Sequence, residues 1–126
     1  MSYNRDYKLL GMVKGVNMLA LGSTNVFTNP ANKPSVITQI IIVSHVSNPP
    51  AMVAPAINVG YIPGFSNAYI SGAPASLQDK GTQSFLTMPN APVVPVGETI
   101  EFNVSFIGSV GAGTYTADCY IYGYEI

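Results

Sequence analysis

The run SVITQIIIVSHV, Ser35 to Val46, is the most apolar stretch of the chain. Ile40, Ile41, Ile42 and Val43 are consecutive, so an extended backbone carries branched apolar side chains on both faces. A strand on a half-wet sheet alternates, whereas this one needs cover on both sides. Glu98–Phe106 does alternate. Ile100, Phe102, Val104 and Phe106 fall on one face, and Thr99, Glu101, Asn103 and Ser105 on the other. In Thr114–Glu125, Tyr115, Ala117, Cys119 and Ile121 share one face, and Thr116, Asp118, Tyr120, Tyr122 and Tyr124 the opposite one. Ser109–Gly113 reads as a hairpin loop, which predicts that these two strands are antiparallel neighbours.

Weaker signals complete the chain. Val36–Val46 and Met52–Ile62 read as strands around a Ser47–Pro50 turn, and Thr82–Met88 as a shorter strand. Val16–Leu21 and Asn25–Thr28 read as two short strands split by Gly22–Ser23. Pro63–Gly81 reads as a loop with a short strand near Ala68–Ser71. Ten prolines and twelve glycines leave few segments with a helical period. Seven or eight strands with turn signals at roughly 8–12-residue spacing predict an all-β domain, either a sandwich or a closed barrel. Residues 1–15, which hold Arg5, Lys8 and Lys14, read as an N-terminal arm, and residues 16–126 as the domain.

Composition sharpens this picture. At 126 residues the chain fits one domain with a substantial core. Only 9% of it is charged, the net charge is −1 and the mean hydropathy is +0.30. No Asp, Glu, Lys or Arg occurs between Lys33 and Asp79. Such a surface does not attract nucleic acid, which needs clustered Lys and Arg, and its low charge favours self-association. No apolar run approaches the ~20 residues of a membrane-spanning helix, and the N-terminus lacks the apolar run of a signal peptide. A single cysteine, Cys119, excludes an intrachain disulfide and suits synthesis in a reducing cytosol.

Chemistry-bearing clusters are scarce. His45, the single histidine, shares a strand face with Gln39, Ile41 and Val43. It is either a pH-responsive contact or an ordinary polar or interface residue, and it has no partners at metal-ligand spacing. Glu98 and Glu101 point to opposite faces of one strand and cannot form a glycosidase pair there, while Asp118 and the Asp79–Lys80 pair read as surface charges. Cys119 reads as a small core hydrophobe. No nucleophile elbow, phosphate loop, dinucleotide fingerprint, CxxC pair or calcium loop is present, so no cofactor and no catalysis are expected. Tyr120, Tyr122 and Tyr124 form a same-face ladder suited to sandwich packing or subunit contact. Tyr61, Phe65 and Tyr69 sit in the loop-like segment as a candidate recognition loop or as its internal packing.

The order of the pieces also carries a resemblance. KLLGMVKGVN leads to a strand ending in FTNP, followed by Lys33 and SVITQIIIV, a Pro/Asn turn and a Val/Ala-rich strand. PVGETIEF, a Gly-rich turn and a closing strand ending in GYE follow. From Leu9 to Glu125 this resembles the small jelly-roll proteins of tailed-bacteriophage virions: decoration or cement proteins, head fibres and tail-attached proteins. The resemblance implies a single antiparallel jelly-roll sandwich, a homotrimer, and major capsid or tail proteins as partners. It also implies synthesis in the host cytoplasm followed by residence in the virion. The alternative it implies is a receptor- or carbohydrate-binding head, with Asn67, Tyr69 and Gln78 near a shallow groove. Ile41, Val43, His45, Tyr120, Tyr122 and Tyr124 are the expected subunit contacts, because a two-layer sandwich has no third layer to cover them.

Overall fold

The computed structural model describes residues 8–29, 34–46, 53–62, 65–76, 81–85, 93–107 and 113–125, with the side chains of 62 and 65–68 left aside. The elements are β1 (Lys8–Asn17), β2 (Gly22–Thr28), β3 (Ser35–Val46), β4 (Ala56–Ile62), β5 (Phe65–Pro74), β6 (Gly81–Phe85), β7 (Val93–Val94), β8 (Thr99–Phe106) and β9 (Tyr115–Glu125). One sheet runs β1-β9-β3-β6 with β7 added beside β3, and the other runs β2-β8-β4-β5. Every pairing is antiparallel. The chain passes back and forth between the two sheets, except where β4 leads into its own neighbour β5 and β6 into β7, and the last two long strands insert between the earlier ones. This is the jelly-roll order, two Greek keys wrapped into a sandwich.

The core lies between the sheets and follows from the alternation of the long strands. Ile40, Ile42 and Val46 of β3 meet Tyr115, Ala117, Cys119 and Ile121 of β9 on one inner face, all buried. Ile57, Val59, Ile70, Ile100, Phe102 and Val104 form the other. Burying such side chains at ~25 cal/mol per Å² is the main stabilising term of the fold. Two glycines permit close approach. A side chain on Gly11 would collide with the Phe27 ring and Cβ, at the seam where the edges of the two sheets meet. A side chain on Gly123 would lie 1.9 Å from the Val36 carbonyl oxygen.

One end of the sandwich is closed by a buried polar knot. Asn29 donates from Nδ2 to the carbonyls of Val94 (2.9 Å) and Pro95 (3.1 Å) and accepts from the Ser35 hydroxyl at 2.6 Å. Its N–H donates to the Glu98 carbonyl at 2.9 Å. Asn29 therefore ties the exit of β2 to β3 and to the segment entering β8. At the other end the buried Tyr115 phenol donates to the Ser76 carbonyl, and burial pushes its pKa up.

Four expectations are corrected. Residues 8–15 are not an arm, because Lys8–Asn17 is a ten-residue edge strand on β9. Bulges at Leu9/Gly11 and Val13/Val16 break its alternation, which hides the strand from a period-two reading. Residues 1–7 lie outside the described residues. Val16–Leu21 is not a strand either: Met18–Ala20 turn the chain, and Met18 is fully buried with its N–H on the Tyr115 carbonyl at 2.9 Å. Phe65–Pro74, read as mostly loop, is a ten-residue strand paired to β4. Finally, β8 and β9 are not hairpin neighbours but belong to different sheets, so the connection between them crosses the sandwich. The two inner faces, each apolar on its own, are buried by facing each other rather than by lying side by side. The Ser47–Pro50 turn, Met52, Gln78 and residues 86–88 lie outside the described residues.

Candidate assembly interface

The outer face of the β1-β9-β3-β6 sheet collects the side chains left over by the inward alternation of β3 and β9. Register places them in rows across the sheet. Met12, Tyr120, Ile41 and Ser84 stand abreast on β1, β9, β3 and β6. Leu9, Tyr122 and Gln39 form the row on one side, with Gln39 donating to the Ser84 hydroxyl at 2.8 Å. Asp118, Val43 and Thr82 form the row on the other side, followed by Asn17, Thr116 and His45.

The question posed by the consecutive isoleucines has a divided answer. Ile40 and Ile42 are wholly buried between the sheets, while Ile41 and Val43 remain half-buried on the outer face. Tyr120, Tyr122 and Tyr124 are also outward and half-buried, so Tyr115 and Ile121, not the ladder, supply the inward packing of β9. Met12 and Leu9 on the same face are 48% and 40% exposed. The structure thus brings Ile41, Val43, His45, Tyr120 and Tyr122 onto one continuous surface and adds Leu9 and Met12, with Tyr124 towards one end. The last two additions were missed because β1 was taken for an arm. The signal that could have found them is the spacing of Leu9 and Met12 once a bulge at Gly11 is allowed.

Charge on this face is confined to one end. The Asp118 carboxylate accepts the Gly15 N–H at 2.9 Å on Oδ1 and lies 3.0 Å from His45 Nε2 on Oδ2. Gly15 sits at φ +71° in the β1 bulge, so the carboxylate satisfies an N–H that the bulge takes out of the ladder. Burial works against the charge of Asp118. The Gly15 hydrogen bond, the His45 hydrogen bond and charge, and Lys14 outweigh it and hold the carboxyl below its ordinary value. The Lys14 ammonium stands 6.0 Å from the centre of the Tyr120 ring. Off this face, at the opposite end of the sandwich, Lys8 of β1 pairs with Glu125 of β9.

The aromatic group of the second sheet is arranged otherwise. Tyr61 lies in β4 and Tyr69 in β5, both packed against the core, with ring centres 5.9 Å apart at 44°. Phe65 opens β5 opposite Tyr61 in the ladder. Burial first, then the neighbouring Tyr61 and Glu98, push the Tyr69 phenol well above its usual range, and its hydroxyl is buried with no hydrogen-bond partner among the described residues. Cys119 is buried and its thiol is pushed up to about 12. Among the described residues no three His, Cys, Asp or Glu side chains gather as metal ligands, and no helix is long and apolar enough to cross a membrane.

No protein-family model matches the chain, and no curated protein matches it. Among solved structures, it is similar to a chain of the cyanophage Pam1 capsid asymmetric unit, with a TM-score of 0.60 over 98% of this chain and 89% of that chain. The two sequences are 14% identical, so what they share is the fold.

Proposed function

We propose that this chain is a structural virion protein that attaches to and stabilises a phage capsid or tail assembly through protein–protein contacts. In this reading it works as a homo-oligomer, a trimer by family resemblance, and its contact surface is the outer face of the β1-β9-β3-β6 sheet. The observation that carries the reading is the half-buried aliphatic and aromatic surface of Leu9, Met12, Ile41, Val43, Tyr120 and Tyr122 on the outside of a two-layer sandwich. The jelly-roll likeness to a capsid chain supports it.

The size of the surface is adequate. Four strands at ~4.8 Å spacing and about ten residues at ~3.3 Å rise give a footprint of roughly 600 Å². A standard interface buries about 800 Å² per partner, so the face supplies most of one. A second copy is the occupant its chemistry favours. The face is apolar with one small charged cluster, and the whole chain carries a net charge of only −1, so copies meet with little repulsion. Binding is then area burial with the tyrosines as anchors, and no bond is made or broken.

Cryo-electron microscopy of the source particle, with this chain located in the map, tests the assignment, and native mass measurement of the purified chain tests self-association. A particle without the chain, or a monomer at micromolar concentration, would overturn it. The rival reading, a receptor- or carbohydrate-binding head, draws on the tilted Tyr61–Tyr69 pair. Glycan-array binding lost on Tyr69→Ala, in a variant that still folds, would favour that rival.

A further inference from the structure

The charged end of the outer face reads as more than a structural tie. Asp118 of β9 is wedged between the Lys14–Gly15 bulge of β1 and His45 of β3, and its side chain is only 14% exposed. The His45 side chain is 42% exposed and stands on the open side of the pair. Every element around it contributes a defined set of groups. β9 supplies Asp118, Thr116 and Tyr120, β1 supplies Lys14 and Asn17, and β6 supplies Thr82 and Ser84. On β3 itself the neighbours on this face are Gln39, Ile41 and Val43. Among the described residues here, Lys14, Asp118 and His45 are therefore the groups that carry or gain charge at ordinary pH. With a neutral imidazole, Lys14 and Asp118 cancel and the surface is formally neutral. With an imidazolium it carries one positive charge per copy.

We propose that the His45–Asp118 pair is an acid-operated release for the copy-to-copy contact. This rests on the reading of the face as the assembly surface. With its ring neutral, His45 donates one N–H to Asp118 and presents an uncharged surface beside Val43. On acidification the ring takes up a proton on its other nitrogen. Asp118 stays ionised through this step because the Gly15 N–H and Lys14 hold it so. The added charge must then be desolvated to close an apolar contact, next to the like charge of Lys14. In a closed symmetric assembly each copy brings the same charge, so the penalty recurs at every contact. The direction is fixed: association is tight while the ring is neutral and weakens once it is protonated.

Sedimentation velocity of the full chain from pH ~8 to pH ~5 tests this, with His45→Gln as the variant that keeps an amide donor toward Asp118 but cannot titrate. The wild-type protein is expected to lose about tenfold or more in association per contact as pH falls from ~8 to ~5, while His45→Gln stays flat. A wild-type oligomer indifferent to pH, or a His45→Gln oligomer with an unchanged acid response, overturns the proposal and leaves the assembly reading standing. A monomer at every pH sinks both. Should His45→Gln fail to assemble, the His45 titration followed by NMR in the wild-type protein decides. A titration midpoint coinciding with dissociation supports the release, and one displaced by more than about a pH unit overturns it.

Discussion

Ile41 and Ile42 are neighbours in sequence and in chemistry, and the structure turns them to opposite faces of β3, Ile42 into the core and Ile41 onto the surface proposed for assembly. The same change, isoleucine to threonine, keeps β-branching at both positions and so leaves strand propensity nearly constant. At Ile42, which is wholly buried opposite Cys119, it removes apolar volume from a packed core and buries a hydroxyl there. The lost methyl group and cavity cost about 1 kcal/mol by analogy with Ile→Val, and the buried hydroxyl adds about 1–3 kcal/mol, for a total of roughly 2–4 kcal/mol. With 126 residues at about 2.1 cal/mol/K each, the unfolding entropy is about 0.26 kcal/mol/K, so Ile42→Thr is expected to lower Tm by roughly 8–15 °C. At Ile41, half-buried between Tyr120 and Ser84 on the outer face, the protomer loses less than about 1 kcal/mol. On the proposed assembly reading the loss there falls on association instead.

Urea unfolding followed by circular dichroism at several protein concentrations separates the two effects. An oligomer that unfolds with dissociation has a concentration-dependent midpoint. Ile42→Thr should lower the midpoint at every concentration and keep that dependence. Ile41→Thr should flatten the dependence while leaving the low-concentration midpoint almost unchanged. Equal destabilisation by the two variants, or an Ile41→Thr protein that associates like wild type, would refute the division of β3 into a folding face and an assembly face.

Three further outcomes follow from the packing. Gly123→Ala should destabilise the fold by more than about 3 kcal/mol in urea titration, because the added Cβ falls 1.9 Å from a carbonyl oxygen of β3 rather than on a yielding side-chain tip; a cost below ~0.5 kcal/mol would contradict the close approach. Cys119, buried and with its thiol pushed up to about 12, should resist a thiol reagent in the native protein at pH ~7.5 and react fully in denaturant, so rapid native labelling would contradict its burial. Tyr69→Phe removes a buried hydroxyl that has no hydrogen-bond partner among the described residues, and thermal unfolding should show unchanged or raised stability, with a loss above about 1 kcal/mol revealing a bond to that hydroxyl.

The legible part of this protein was the facing of its long strands. The sidedness of β9, that of β8 from Thr99 to Val104 and the span of β3 stand in the sequence as they do in the structure; Phe106, read on the apolar face, is 55% exposed beyond a bulge, and the direction of the tyrosine ladder, left open between sandwich packing and subunit contact, is outward. Alternation is a local property: successive side chains of an extended backbone point to opposite sides whatever the strand pairs with. The parts that failed share one feature. β1 and β5 are edge strands, and bulges interrupt their pairing with their neighbours; where Gly11, Gly15 and Gly72 fall, alternation carries little information.

The amino-acid sequence by itself determined that the chain is all-β, that its faces divide as they do, and that Ile41, Val43 and Tyr120 are left over once Ile40, Ile42 and Cys119 are turned inward. Only the tertiary structure decided which strand lies beside which. It separated β8 from β9, recruited Lys8–Asn17 to cover the open edge of β9, and brought His45, Asp118 and Gly15 together from three strands. The reason is physical. A strand's backbone groups accept any partner with the right geometry, and the choice among partners is made by burying both inner faces at once, a condition no local segment contains.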